Sequence, residues 1–352
     1  MKFSRFFCLF FCCVFSLLCS INLDYEIDKI SDYDETVSTS TLLTTTQRDS
    51  EPKFVILGGD VLGFSYTGDG VLVVANEGLG IKNEVLEVGD IIKSIDDIPV
   101  VKVADIGKIL SDSLGQEVRI KLRRDGSEIE RRLKPSYDVI SKKYKLGIWA
   151  REGFSGIGTL TFIDPNTARF GALGHALVDP STETIVDVSS GEVHMCCILG
   201  VKSAMRGVPG ELRGVFIPNK STLGSIDKNC EYGMYGKINL DAGFVDRGLI
   251  ELGGKDWAKP GKAEIYSCID GKNIRAYDIE IIKTSYRSVS SPKNLVFKVT
   301  DKRLLNATGG IVQGMSGSPI VQNGKLVGAV THVFVNDPTK GFGIYIDTML
   351  AQ

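Results

Sequence analysis

The stretch from Gly309 to Val333 reads GGIVQGMSGSPIVQNGKLVGAVTHV and sets Ser316 between glycines, just ahead of a β-hairpin. A serine hydroxyl is a weak nucleophile until a neighbouring base takes its proton. Gly314 and Gly317 permit backbone angles that other residues resist. With them, the N–H groups of Gly314 and Ser316 can point at one spot, which is what an oxyanion hole requires. Asn323-Gly324 favours a two-residue type I′ turn, so the serine enters a stiff hairpin. The competing reading of the same residues is a glycine-serine turn without chemistry. Ser318 offers a second hydroxyl, weaker as a candidate because it abuts Pro319 at the start of the strand. GMSGS lacks the last glycine of a G-x-S-x-G elbow, and no strand–turn–helix pattern surrounds it, so an α/β-hydrolase nucleophile is excluded.

A base must come from the three histidines. His175 stands in FGALGHALVD, where small neighbours leave one side of an imidazole uncovered. His194 lies in GEVHMCC, an apolar strand, and reads as a satisfied core or edge residue. His332 follows GAVT on the strand after the hairpin and is placed to line a pocket beside Ser316, or to be a structural strand histidine.

The elements that must position these residues are mostly strands. From Phe54 onward, KFVILGGDVLGFSYTGDGVLVV gives two strands around a glycine loop. Ile91 to Ile95 gives a short strand, and Val103 to Leu110 has apolar positions at helical spacing. Two alternating strands flank Asp125-Gly126, a strong hairpin signal. This order, with the phrase VGDIIKSIDDIPV, resembles a PDZ domain over residues 54–136. In that resemblance the helix flanks a peptide groove, and Val61, Leu62, Gly63 and Phe64 form the loop that captures a terminal carboxylate. Residues 137–352 are glycine-punctuated and strand-rich, the pattern of an all-β barrel or sandwich.

Ahead of these domains, residues 1–21 carry Lys2 and Arg5 and then an apolar run, the layout of an export signal. The run is short for a membrane span and no A-x-A site follows, which favours a retained anchor. Residues 22–53 are acidic, then Ser/Thr-rich, and read as a disordered linker exposed to cleavage. Net charge is -2, with no basic stripe, so nucleic acid is not the expected partner. Four of eight cysteines lie in the first segment. Cys196, Cys197, Cys230 and Cys268 show no metal-ligand spacing, so no zinc site and no cofactor are expected. Cys196 and Cys197 read as buried thiols, and export would allow Cys230 a disulfide.

Two long blocks carry a second resemblance: GIGTLTFIDPNTARFGALGHALVD and ATGGIVQGMSGSPIVQNGKLVGAVTHVFVNDPTKGFGIYID. Both resemble the SpoIVB peptidases, serine peptidases of the trypsin-like clan with a PDZ domain and an N-terminal membrane segment. The resemblance implies a chymotrypsin-like double β-barrel behind the PDZ module, with His175 as general base, Ser316 as nucleophile and Asp301 as the carboxylate orienting the base. His-Asp-Ser is also the chymotrypsin chain order. Asp301 precedes Ser316 more closely than in ordinary trypsin-like enzymes, so Asp179, Asp187 and Asp246 stay in play. Met315 stands where GDSGGP has its aspartate, which removes the usual zymogen ion pair. The family further implies a protein substrate, a membrane-associated regulator cut between the two membranes around a forespore, self-cleavage near the N-terminus, and a C-terminal peptide for the PDZ groove. A catalytically inactive PDZ adaptor and an envelope quality-control protease are the competing functions.

Overall fold

A computed structural model describes residues 54–66, 70–76, 85–179, 185–186, 188, 191–216, 222–244, 247–285 and 291–352. The expected signal segment and linker, residues 1–53, lie outside them.

The chain begins with β1 (Phe54–Leu57) and β2 (Val61–Tyr66). It then runs through β3 (Val71–Asn76), β4 (Ile91–Ile95), β5 (Ile98–Pro99), helix α1 (Val103–Asp112), β6 (Val118–Arg124) and β7 (Ser127–Leu133). A small pair, β8 (Ser136–Asp138) and β9 (Lys143–Lys145), leads to β10 (Ile148–Arg151), β11 (Phe154–Ile163) and β12 (Arg169–Ala172). After these come β13 (Gly191–Lys202), β14 (Glu211–Phe216), β15 (Thr222–Cys230), β16 (Gly233–Ile238), β17 (Leu249–Leu252) and α2 (Gly254–Trp257). The last part holds β18 (Gly261–Cys268), β19 (Ile274–Thr284), β20 (Leu295–Val299), α3 (Lys302–Thr308), β21 (Pro319–Gln322), β22 (Lys325–Val333), β23 (Lys340–Tyr345) and α4 (Ile346–Leu350).

Strand pairing closes two rings. In the first, β2, β11, β12, β16, β15 and β13 each pair with the next, and β13 returns to β2. In the second, β22, β21, β18, β19, β20 and β23 do the same, and β23 returns to β22. Strands β1 and β17 bridge the rings. Closure leaves no sheet edge in either ring. Inward positions fill each barrel: Leu62, Phe64, Leu160, Phe170 and Val193 in the first, and Ile265, Tyr277, Ile279, Phe297 and Val330 in the second. The result is the double six-stranded barrel expected of a chymotrypsin-like peptidase.

A separate sheet, ordered β10-β3-β4-β6-β7, packs against α1 around its own core of Val71, Ile92, Ile95, Ile109 and Leu110. This is the PDZ module, with its helix where the spacing placed it. Its boundary differs from the expectation. Strands β1 and β2 belong to the first barrel, and β2 pairs antiparallel with β11 from Phe154↔Tyr66 onward. The PDZ module is therefore an insertion between two hydrogen-bonded neighbours of the barrel.

The assignment of Val61, Leu62, Gly63 and Phe64 to a carboxylate loop is corrected by the same pairing. These residues sit in β2, buried, with β11 on one side and β13 on the other. Their backbone donors are used within the barrel wall. One of the two free edges of the PDZ sheet is β10, which among the described strands pairs only with β3, the other edge being β7. Strand β10 follows Leu146-Gly147, where Gly147 takes φ 74°. Val103 at the start of α1 donates its N–H to Glu152 Oε1 (2.9 Å), just past β10. Both turns expected from sequence are formed, with positive φ at Asp125 and Gly126 and at Asn323 and Gly324.

Candidate active site

His175 and Ser316 come from different barrels. His175 follows β12 of the first, and Ser316 precedes β21 of the second. The turn that delivers His175 is left-handed twice over, with φ 69° at Leu173 and 68° at Gly174. For leucine that conformation costs about 1–2 kcal/mol. Burying its side chain, only 3% exposed, contributes about 2 kcal/mol in return. Gly174 is required for a second reason. A Cβ there would stand 3.0 Å from Thr331 Cγ2 and 3.1 Å from Ile344 Cγ2, both in the second barrel. The His175 arm thus crosses the gap between barrels.

The serine loop is braced from behind. Met315, in place of the aspartate of GDSGGP, is fully buried in the second core, so an apolar anchor sits where an ion pair would be. The Gln313 carbonyl accepts the Leu212 N–H (2.8 Å), and the Met315 carbonyl accepts the Ser318 N–H (3.0 Å). A peptide unit is planar and trans. Holding those two carbonyls therefore sends the N–H groups of Gly314 and Ser316 the opposite way. Neither amide donates to a backbone acceptor among the described residues. Two fixed, open donors flank the serine, which is the oxyanion-hole arrangement.

One residue of β11 ties both loops together. Thr159 donates its N–H to the Ser316 carbonyl (2.8 Å) and its hydroxyl to the Gly314 carbonyl (2.8 Å), and it accepts the Leu173 N–H (3.2 Å). Two residues on, Thr161 Oγ1 donates to the Gly317 carbonyl (2.7 Å). Gly317 (φ 94°) has no room for a side chain, since a Cβ would collide with the Thr159 carbonyl. Sequence reading missed both threonines; buried on a strand far from the serine, they give no local signal.

His175 Nδ1 lies 2.8 Å from the Ala176 carbonyl oxygen. A carbonyl only accepts, so Nδ1 carries the hydrogen and Nε2 keeps the lone pair needed by a general base. Burial pushes the His175 pKa below the ordinary imidazole value, which keeps the ring neutral. His332 lies alongside, ring centroids 5.0 Å apart. Its pKa falls to about 4, through burial first and then the His175 and Lys293 charges. The Ser316 hydroxyl donates to the Thr331 carbonyl (2.8 Å), next to His332.

Asp301 is elsewhere in this arrangement. It caps α3, with its carboxylate accepting the Arg303 N–H (2.7 Å) and the Asp278 N–H (3.3 Å) and pairing with the Arg303 guanidinium (2.6 Å). Those bonds, Arg303 foremost, hold its pKa at about 2. The expected orienting contact to His175 is not made, because the carboxylate is committed to its own helix. Asp179 is buried and paired with Arg151. Asp187 and Asp246 lie outside the described residues. Ser318 is fully buried, out of reach of a substrate. His194 Nε2 is bonded to Ser65 Oγ (2.5 Å) and faces Glu192, the satisfied strand histidine expected. Cys196 and Cys268 are buried and Cys197 and Cys230 partly so, and all four are free thiols.

The family model SpoIVB peptidase S55 matches residues 142–350, well over half of the chain. The chain belongs to the SpoIVB peptidase family. It is a serine peptidase, and the match covers both His175 and Ser316. Among solved structures, the Rv3671c protease from M. tuberculosis in its active form is 15% identical over 56% of this chain and 74% of its own, with a TM-score of 0.31. Its inactive form is 14% identical over 56% and 82%, with a TM-score of 0.32. The PDZ domain of the SdrC-like protein from Listeria monocytogenes is 23% identical over 24% of this chain and 90% of its own, TM-score 0.20. No curated protein matches. The fold of this SpoIVB peptidase rests on its own strand pairing rather than on these distant likenesses.

Proposed function

We propose that Ser316 attacks a peptide carbonyl while His175 Nε2 takes its proton, and that the N–H groups of Gly314 and Ser316 hold the resulting oxyanion. His175 then hands the proton to the leaving amine, and water resolves the acyl-enzyme by the same steps. The observation carrying this reading is the pinning of the Gln313 and Met315 carbonyls, which leaves two donors open beside the serine. Before attack, the serine hydroxyl must exchange its bond to the Thr331 carbonyl for one to His175. Catalytic hydrogen bonds commonly tighten only when substrate is bound.

The substrate is an extended protein segment. A second segment adds to the free β10 edge beside α1, by the strand-addition mode of PDZ domains. The family and the N-terminal sequence support an exported, membrane-tethered peptidase that cuts a membrane-associated regulator between the membranes around a forespore, and cuts its own linker within residues 22–53. Fluorophosphonate labelling of the full chain, lost in both Ser316→Ala and His175→Ala, is the expected result. Labelling that survives Ser316→Ala would return the protein to the adaptor class. N-terminal sequencing of the wild type beside Ser316→Ala reads the self-cleavage directly.

A further inference from the structure

His175 and His332 belong to different barrels, yet their ring centroids lie 5.0 Å apart at an interplanar angle of 39°. One nitrogen of His175, Nδ1, is committed to the Ala176 carbonyl, so Nε2 is its open position. On His332, Nδ1 is buried and has no hydrogen-bond partner. Buried polar atoms are almost always satisfied, and a bound ion would satisfy this one.

Three features fit a metal ion. A metal-binding histidine characteristically donates its other ring N–H to a carboxylate or backbone carbonyl, as His175 does. Imidazole nitrogen is the ligand of choice for zinc, copper and nickel. Two imidazoles on one tetrahedral ion, with metal–nitrogen bonds of about 2.0–2.1 Å, have ring centres roughly 5 Å apart. The Ser316 hydroxyl is bonded to the Thr331 carbonyl, one residue before His332, and in such a site water or that hydroxyl would complete the coordination. Sequence spacing gives no hint of such a pair, because the two histidines meet only across the barrel interface.

We propose that His175 and His332 form a two-imidazole site for a divalent transition ion of the zinc type, and that filling it switches the peptidase off. The ion takes the Nε2 lone pair that must receive the serine proton. Inhibition therefore rests on the reading of His175 as base, whereas binding does not.

The test titrates Zn2+ into the metal-free full chain by calorimetry, with Co2+ as a visible probe, for the wild type, Ser316→Ala, His175→Ala, His332→Gln, His332→Asn and His194→Ala. The expected result is one ion per wild-type chain with tetrahedral cobalt bands, unchanged in His194→Ala and retained in Ser316→Ala. Affinity falls at least tenfold in His175→Ala and in either His332 variant that melts cooperatively. Peptide hydrolysis by the wild type falls as zinc fills the site and returns with a chelator. Equal affinity in the wild type and the histidine variants overturns the site, as does saturation without loss of hydrolysis. If zinc binds through both histidines while Ser316→Ala hydrolyses peptide as well as the wild type, the catalytic reading fails and the metal site stands.

Discussion

Asparagine at position 301 separates two roles that a carboxylate can play. Asparagine caps a helix as well as aspartate does, so if Asp301 serves α3, peptidase activity in Asp301→Asn stays within a few-fold of the wild type. If it oriented the base, the same change would cost on the order of 10,000-fold in kcat. Its pH signature also follows. The folded pKa, about 2, lies below the ordinary value, so the ionised carboxylate stabilises the fold above about pH 4. That contribution disappears as pH falls toward 2, and acid titration of Asp301→Asn should lack it. The histidine carries the opposite sense. Burial favours the neutral base at His175, outweighing the opposite pull of its bond to the Ala176 carbonyl. The acid limb of kcat/KM therefore falls below pH 6.5, and a limb above pH 7 would contradict a desolvated base. Ser316 and His175 stood out as candidates in sequence because glycines and a long motif surround them. The place of Asp301 was not, since a carboxylate pairs with whatever cation the fold brings, here Arg303 two residues away.

Strand β11 does more than close a barrel. Through Thr159 it grips both loops, and the grip is testable. Thr159→Val keeps the shape but removes the bond to the Gly314 carbonyl. One buried hydrogen bond is worth about 1 kcal/mol, and losing an oxyanion donor costs about 100- to 1,000-fold. A fall in kcat between roughly 5- and 1,000-fold is expected, with KM little changed and Thr159→Ser restoring most of it. A rise in KM at unchanged kcat would show that the hydroxyl serves packing alone. Element types were readable from period and turn residues: the α1 helix and both type I′ hairpins stand where their spacing put them. Partners were harder. VLGF looks like a PDZ loop when read locally, but its hydrogen-bonding partner β11 lies beyond the entire inserted module, and local pattern carries no information about so distant a neighbour.

In the whole molecule, the PDZ module hangs from one hairpin of the first barrel. Because β2 and β11 already pair at Tyr66 and Phe154, the barrel does not need the insert to close. Joining Tyr66 to Arg151 through Asn-Gly, and so keeping Arg151 for the buried Asp179, should give a soluble chain that melts cooperatively and still takes a fluorophosphonate at Ser316. An aggregated or unlabelled product would mean that the barrel depends on the module. The insertion also fixes the order in which ladder partners come into existence. Synthesis proceeds at about 5–20 residues per second, so β2 waits several seconds, while the whole intervening stretch is made, before its ladder partner exists. Every strand of the small module, β10 last, precedes β11 in the chain, so the appendage is fully spelled out before the barrel wall that holds it can close.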